Sequence, residues 1–314
     1  MQNDYQQMVD VYENVEGDKS PFEDSDVAHL VIQEDEVVGS HVVEGLEVEV
    51  KEQSDNTVAA QITVQEGYWI EKPVHMCFGV LPEEGHQKID LDIEVKDDAG
   101  IEILAHCMFP NAEQVIHEME ADIYVGKGSE YIYREVHAHG ESGGVEVIAN
   151  ADMELEEDSR LETTFTLKEG RVGKLDFDYQ SQIGADSTLE MYAKISGYAD
   201  DKIKIREAGR LAGKNSRGLL ETRIALQEEA EAEIENELVA TAAGAQGHVD
   251  CTEIIKDEAI AKAIPIVDVR HPEAKVTHEA AIGSIDDTQL QTLLARGLDE
   301  EEASDVIIQG MLSG

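Results

Sequence analysis

The chain has 314 residues, of which 69 are acidic and 24 basic, so its formal net charge is −45. This negative field repels phosphate backbones and makes nucleic acid a poor partner. No stretch of about 18 apolar residues is present, which excludes a membrane-spanning helix and a membrane partner.

The N-terminal segment, residues 1–65, is predicted to mix helix and strand. YQQMVDVYENV is amphipathic, whereas HLVIQEDEVVGSHVVEGLEVEV reads as strands. The first residues are polar and acidic and lack the basic-then-apolar order of a signal peptide. Three widely spaced cysteines do not make a disulfide framework. We therefore expect a cytoplasmic protein whose thiols are free for metal or sulfur chemistry.

The central segment, residues 66–275, contains an internal repeat. Its units align on small residues that follow polar or glycine residues: Ala99, Ser129, Ser159, Ser187, Ser216, Ala230 and Ala259. The intervals of 30, 30, 28, 29, 14 and 29 residues give a unit of about 29 residues with one half-step. Apolar and charged residues alternate between the turns, which predicts strands with one buried face.

This repeat predicts the fold class. Short strands at a fixed step favour a β-solenoid, in which each coil buries its inward side chains against the next. The strands of a β-sandwich also alternate apolar and polar residues, but a sandwich has no reason to keep one repeat length over so many units. The sequence thus predicts a mainly β protein whose core is a β-solenoid.

The C-terminal segment, residues 276–314, is predicted to form a helical hairpin. SIDDTQLQTLLARG begins with Ser and Asp and ends with Gly. LDEEEASDVIIQGML follows, with Asp299 as N-cap and Glu302 at N3, close to a capping box. Such a hairpin would shield the last coil of the solenoid, dock a partner, or do both.

Cys251 is the first candidate for chemistry. His248 and Asp250 precede it closely, but the three side chains do not converge on an extended strand unless a turn intervenes. Its partners would therefore come from another coil or another chain. His278 and Glu279, about one repeat further on, are the best candidates. Thiolate with imidazole or carboxylate suits iron or zinc, although a lone cysteine is more often structural.

A second group of candidate ligands lies upstream: His106, Cys107, His117, His137 and His139. His137 and His139 share one face of a strand, which fits either a metal pair or an ordinary surface strand. Cys77 lies in the apolar run PVHMCFGVL and is predicted to be core. A phosphate-binding loop, a dinucleotide fingerprint, a nucleophile elbow and a C-x-x-C pair are all absent from the sequence.

Residues 247–312, from GHVDCTEII through PEAKVTHEAAIG and IDDTQL to ARGLDEEEA, resemble the core of SufB and SufD. These are scaffold components of the SUF iron–sulfur cluster assembly system. The likeness extends more loosely upstream to about residue 70, and HCMFPNA is similar to the compact archaeal SmsB-type scaffold. It implies a right-handed parallel β-helix, C-terminal helices that bind a SufC-like ABC ATPase, and pairing of two scaffold subunits.

The resemblance also implies roles for individual residues. Cys251 matches the cysteine implicated in receiving sulfur and building the cluster, and Glu279, beside His278, matches an acid implicated in holding the cluster or its iron. The separation between Cys251 and Glu279 calls for a one-residue gap in that match. A single scaffold type implies a homodimer in place of a SufB–SufD pair. The role of the family implies that the cluster is then transferred to apo-proteins. Cys107 is not equated with the upstream sulfur-accepting cysteine of larger members, which leaves the sulfur route open.

Two alternatives from other classes stay open at this point. One is a purely structural acidic β-solenoid in which Cys251 is a core residue. The other is a solenoid metalloenzyme that uses His106, His137 and His139.

Overall fold

The computed structural model describes residues 2–16 and 18–313. The helices are α1 (Gln2–Glu16), α2 (Asp287–Leu294) and α3 (Glu300–Leu312), and a short 3₁₀ turn covers Ser20–Phe22. No helix within these residues has the length and apolar character that crossing a membrane requires.

Strands make up most of the chain. The first are β1 (His29–Gln33), β2 (Glu36–His41), β3 (Leu46–Ser54), β4 (Thr57–Val64), β5 (Val74–Gly79), β6 (Glu84–Val95), β7 (Gly100–Phe109), β8 (Gln114–Val125) and β9 (Glu130–His139). They continue as β10 (Val145–Leu155), β11 (Arg160–Glu169), β12 (Lys174–Ile183), β13 (Thr188–Gly197), β14 (Lys202–Leu211), β15 (Arg217–Leu226), β16 (Glu231–Ala240), β17 (Gln246–Ile255), β18 (Ile260–Val269) and β19 (Lys275–Gly283).

Successive strands alternate between two sheets. Sheet A has the order β19-β17-β15-β13-β11-β9-β7-β5-β1-β2, and sheet B has the order β18-β16-β14-β12-β10-β8-β6-β4-β3. The pairings are parallel except at the start, where β1–β2 and β3–β4 are antiparallel. The chain is thus a parallel β-solenoid of about 8 turns, which confirms the predicted fold class.

Neighbouring coils pair in register. In β15 and β17, for example, Leu220 lies opposite Val249 and Thr222 lies opposite Cys251, so both pairs are offset by one full repeat unit. Paired residues of parallel strands share a face of the sheet, and successive residues alternate between faces. A residue therefore points into the interior between the sheets whenever its partner in the preceding coil does.

The small residues that mark the repeat occupy the corners. Those from Ala99 to Ser216 lie where sheet B leads into sheet A, whereas Ala230 and Ala259 lie at the opposite corners. This change of corner is the half-step in the repeat. Ser187 shows how stacked corners are joined: its Oγ accepts from the Ser159 amide at 3.0 Å, while Asp186 before it adopts a φ of 58°.

Charged side chains stack along the outer faces, because in-register pairing places acidic residues above one another. Arg206 lies within such a stack and contacts Asp178 at 2.9 Å, Glu235 at 3.0 Å and Glu237 at 3.1 Å. One guanidinium thus joins three coils of sheet B. The few arginines separate like charges that the repeat would otherwise bring together.

Helix α1 covers the outer face of sheet A near the start of the solenoid. Its Met8 and Tyr12 pack with Val31, Cys77 and Met108 in a small cluster separate from the interior core. Cys77 is 1% exposed and is a packing residue, as predicted.

The C-terminal hairpin lies against the outer face of sheet A. Asp299 and Glu302 form the predicted capping box of α3, and Ala303 and Ile308 are buried. Helix α3 contacts β15, and the Arg223 guanidinium on β15 donates to the Met311 carbonyl at 3.2 Å. The hairpin is therefore placed beside the solenoid and not across its end.

The last coil, β18 and β19, remains open. These two strands are the terminal strands of their sheets, and nearly every side chain of β19 is exposed. Large apolar side chains on this coil also face solvent: Ile260 is 58% exposed, Val269 44% and Ile282 47%. An exposed apolar strand edge of this kind is typical of a surface that another chain covers.

Candidate functional site

Cys251 lies on β17, the last strand of sheet A before the open terminal strand. Val249, Cys251 and Glu253 alternate into the interior and are at most 1% exposed. His248 and Asp250 point to the outer face, so the three candidates do not converge, as expected for an extended strand. The sulfur is therefore enclosed, yet only one strand separates it from the open end.

Strand β19 places the predicted partners of Cys251 on two different faces. Its residue opposite Cys251 is Ala280. His278 pairs with Val249 and so lies on the same face as Cys251, whereas Glu279 pairs with Asp250 on the outer face. His248 is also on the outer face, where its Nδ1 lies 2.9 Å from the Thr277 hydroxyl. Within one chain the structure thus groups Cys251 with His278, and Glu279 with His248.

Two interior carboxyl groups near Cys251 were missed from the sequence. Neither oxygen of Glu253 has a hydrogen-bond partner on another residue in the described part of the chain. Glu207 accepts from the Thr222 hydroxyl at 3.2 Å and the Asn236 amide at 3.0 Å. With 69 acidic residues, the sequence offers only the position of Glu253, two residues from Cys251 on a strand, to single it out.

Burial sets the protonation of this region. It raises the pKa of the Cys251 thiol to about 12, with smaller contributions from the negative charges of Glu253, Glu207 and Asp250. Burial likewise raises the pKa of Glu253 to about 7, with help from Asp250. It raises the pKa of Glu207 to about 7 against the opposing hydrogen bonds. At neutral pH the enclosed Cys251 is thus a thiol, and it becomes a ligand only when a metal or a rearrangement removes its proton.

The upstream candidates divide between two faces as well. Cys107, His117, His137 and His139 point into the interior, together with Glu135, which was not predicted. His106 points the other way, towards α1, and its ring centroid lies 4.7 Å from that of Tyr12. The predicted His106/His137/His139 group is therefore not a single site. Cys107 points into the interior beside His137, and His106, its neighbour on the same strand, points to the opposite face of the sheet.

Comparison with known proteins identifies relatives of the whole chain. Residues 83–311 match the family model described as SUF system FeS cluster assembly, SufBD core domain. An iron–sulfur cluster assembly SufBD family protein of Methanocaldococcus jannaschii is 35% identical over 283 residues, covering 90% of this chain and 89% of the relative. One of Pyrococcus horikoshii is 34% identical over 309 residues, covering 98% and 94%.

A bacterial relative matches only part of the chain. An iron–sulfur cluster assembly SufBD family protein of Staphylococcus aureus is 33% identical over 72 residues, which cover 23% of this chain and 16% of the relative.

Replacement of Glu253 by glutamine should remove part of the pH dependence of stability. A carboxyl group whose pKa is raised on folding binds more protons in the folded state, so stability declines as pH rises from about 4.5 to 7. Glu253→Gln should therefore match the wild type near pH 5 and exceed it near pH 8 by about 1–3 kcal/mol. Urea unfolding at both pH values measures this difference.

The matched control is Glu279→Gln, which removes one carboxylate from the exposed neighbouring strand. It should shift stability equally at both pH values. Parallel curves for the wild type and Glu253→Gln would contradict the burial of an unpartnered carboxyl group.

Proposed function

Because the chain belongs to the SufBD family of the SUF iron–sulfur cluster assembly system, we propose that it is the scaffold on which a cluster is built. The observation that carries this proposal is the position of Cys251, enclosed but one strand from an open solenoid end. In the reducing cytoplasm its thiol stays free. The chain templates the cluster and passes it to apo-proteins, while a partner supplies ATP hydrolysis.

The partner that fits the C-terminal hairpin is a SufC-like ABC ATPase. Leu294 on α2 is 38% exposed and Val306 on α3 is 50% exposed, so the outer surface of the hairpin carries apolar side chains. Its inner surface contacts β15, where Thr222 lies opposite Cys251 and Arg223 holds Met311. Movement of the hairpin by the ATPase would therefore act on the strand next to Cys251.

A second copy of the chain fits the open last coil. The unpaired edges of β18 and β19 and their exposed Ile260, Val269 and Ile282 would be covered by the same surface of the partner. In such a homodimer Cys251 and His278 approach the junction from the interior. Glu279 approaches it from the outer face of the edge strand. Two chains together could therefore bring a Cys251 and a Glu279 to the same junction, although the two residues lie on opposite faces within one chain.

In the assembly step ATP-driven movement of the hairpins opens the junction of the two last coils. Iron and sulfide then reach Cys251, whose thiol proton is lost as the sulfur binds iron. His278 and Glu279 complete the set of ligands. The cluster is the cargo of this scaffold, and release follows when the junction opens again.

Loss of Cys251 should abolish cluster assembly. Anaerobic reconstitution with ferrous iron and sulfide should give the visible absorbance of a cluster in the wild type. Cys251→Ser should lower bound sulfide and the cluster absorbance by more than about tenfold, since even second-shell changes have that effect. Cys77→Ser, a change beneath α1, is the matched control and should retain the cluster.

Carboxylate variants in the same assay identify the acidic ligand. Glu279→Gln should reduce cluster yield, whereas Glu253→Gln should not. An unchanged cluster in Cys251→Ser would refute the assignment, and a wild type that binds none with or without the ATPase would support a purely structural solenoid.

A charge on the outer surface of the hairpin should release the ATPase. Val306→Asp should prevent co-purification of a co-expressed SufC-like ATPase, because a desolvated carboxylate opposes apolar docking. Deletion of residues 285–314 should have the same effect. The control is Ile282→Asp, which changes an equally exposed apolar residue on the last coil. If Val306→Asp retains the ATPase, the hairpin is not its docking site.

The same two variants should exchange roles in a test of dimerisation, with Ile282→Asp as the disruptive variant and Val306→Asp as the control. Sedimentation should show a wild-type dimer, and Ile282→Asp should weaken it by about 100-fold or more, since each dimer loses two buried isoleucines at about 1.5–3 kcal/mol each. Val306→Asp should leave the dimer intact. A wild-type monomer, or an Ile282→Asp dimer as tight as the wild type, would exclude the last coil as the interface.

A further inference from the structure

The interior group around Cys107 is a second centre, distant from Cys251. It consists of five side chains that are at most 7% exposed: Cys107, His117, Glu135, His137 and His139. Cys107 lies on β7 and Cys251 on β17, five strands apart in sheet A. At about 4.8 Å per strand the two sulfurs are separated by about 24 Å.

Three ligand types converge within this group. One ligand atom each of Cys107, Glu135 and His137 lies within 4.8 Å of the others. The Cys107 Sγ is 3.6 Å from Glu135 Oε1 and also 3.6 Å from His117 Nε2. His137 Nε2 is 2.8 Å from the same Glu135 oxygen. A sulfur, a carboxylate oxygen and one imidazole nitrogen thus surround one point, and the imidazole of His117 contacts the sulfur from outside this group.

The hydrogen bonds of the two histidines fix where their protons lie. The Arg171 carbonyl can only accept, so His139 Nδ1, 3.1 Å away, must donate to it. In a neutral imidazole whose Nδ1 donates, the other nitrogen, Nε2, is an acceptor. His137 Nδ1, 3.0 Å from that Nε2, must therefore donate as well.

This series of hydrogen bonds leaves the other ring nitrogen of His137, Nε2, without a proton to donate. With Nδ1 carrying the proton, a neutral His137 turns the lone pair of Nε2 towards the Glu135 carboxylate, 2.8 Å away. Two acceptors cannot face each other at this distance in a dry interior without a positive charge between them. That charge is either an additional proton or a metal ion.

The spacing around the Cys107 sulfur is compatible with a metal ion. In a tetrahedral zinc-type site, a sulfur bonded at about 2.3 Å and a nitrogen or oxygen bonded at about 2.0–2.1 Å lie about 3.6 Å apart. Both distances from Cys107 Sγ, to Glu135 and to His117, have this value. To admit the ion, the Glu135–His137 contact would have to lengthen by about 0.6 Å. His117, which contacts the sulfur but lies outside the close group of three, would have to approach Glu135 and His137.

We propose that Cys107, His117, Glu135 and His137 form a binding site for one divalent transition-metal ion, with zinc or ferrous iron as the matching class. The thiolate and the carboxylate offset the two positive charges of the ion, so the loaded site is neutral and suited to burial. His139 is a positioning residue: it orients His137 through the hydrogen bond to Nδ1 and is itself held by the Arg171 carbonyl.

Binding at this site releases a proton. Without metal the Cys107 thiol keeps its proton, because burial and then the charge of Glu135 raise its pKa well above the usual value. When the ion binds, the thiol proton passes to solvent, and Cys107, Glu135 and the imidazole lone pairs of His117 and His137 bind the ion. No oxidant or reductant is required.

Cobalt is the probe for this site. The full-length protein, purified anaerobically and stripped with a chelator, is titrated with Co²⁺. We expect one equivalent to produce a thiolate-to-cobalt charge-transfer band and the visible bands of a tetrahedral ion, and zinc to displace both. Calorimetry in buffers of different ionisation enthalpy should show that binding releases the thiol proton. Zinc should also raise the Tm.

Variants separate this centre from the cluster scaffold. Cys107→Ser should remove the charge-transfer band, whereas Cys251→Ser and Cys77→Ser should retain it. His139→Gln should weaken cobalt binding by about 10–100-fold while the charge-transfer band survives at saturation. If Cys107→Ser does not fold, His117→Gln and His137→Gln take its place, and circular dichroism confirms their fold.

Three outcomes would overturn the proposal: no charge-transfer band in the wild type, loss of the band in Cys251→Ser but not in Cys107→Ser, or a zinc-independent Tm. In each case the additional charge between Glu135 and His137 is a proton, and the group is a hydrogen-bonded core. The proposal does not depend on cluster assembly, because Cys251→Ser eliminates the scaffold site and leaves this centre intact.

Discussion

In-register parallel pairing of the coils is the constraint on which the rest of the structure depends. Because paired residues of strands such as β15 and β17 are one full repeat unit apart, each side chain lies on the same face of the sheet as its neighbours in the coils above and below. A slip of one residue would move every side chain of a strand to the opposite face. The interior core, the stacked charges outside and both candidate centres all follow from this register.

The same register explains why polar groups occur inside an otherwise apolar solenoid. Thr222 of one coil lies opposite Cys251 of the next, and Cys107 lies opposite His137, so polar positions reinforce one another across coils. Near Cys251 the carboxyl group of Glu253 is left without a hydrogen-bond partner on another described residue, whereas the Glu135 carboxylate near Cys107 accepts from the Cys107 thiol. The Cys251 centre is also the one closer to the open end.

Much of the fold could be predicted from the sequence, because its signals are local. The repeat marked the corners, and Asp299 and Glu302 marked the start of α3. The site was harder to predict, because the face of the sheet on which a side chain lies depends on the register of its strand. A shift of one residue in that register moves the side chain to the opposite face. Glu279 precedes by one position the residue that lies opposite Cys251, and this places its side chain beside Asp250. The docking of α3 on β15 rests on tertiary contacts that no local pattern reveals.

The two ends of the solenoid differ, and this limits what the chain can build. At the start, the edge strand β3 exposes Glu47, Glu49 and Glu52 and contains a register shift between Val50 and Glu52, features that oppose strand addition. At the other end β18 and β19 pair without a register shift and expose Ile260, Val269 and Ile282. Stacking of first coils on last coils would produce a fibre without limit. In the proposed homodimer only last coils meet, so stacking stops at two chains and does not continue into a fibre.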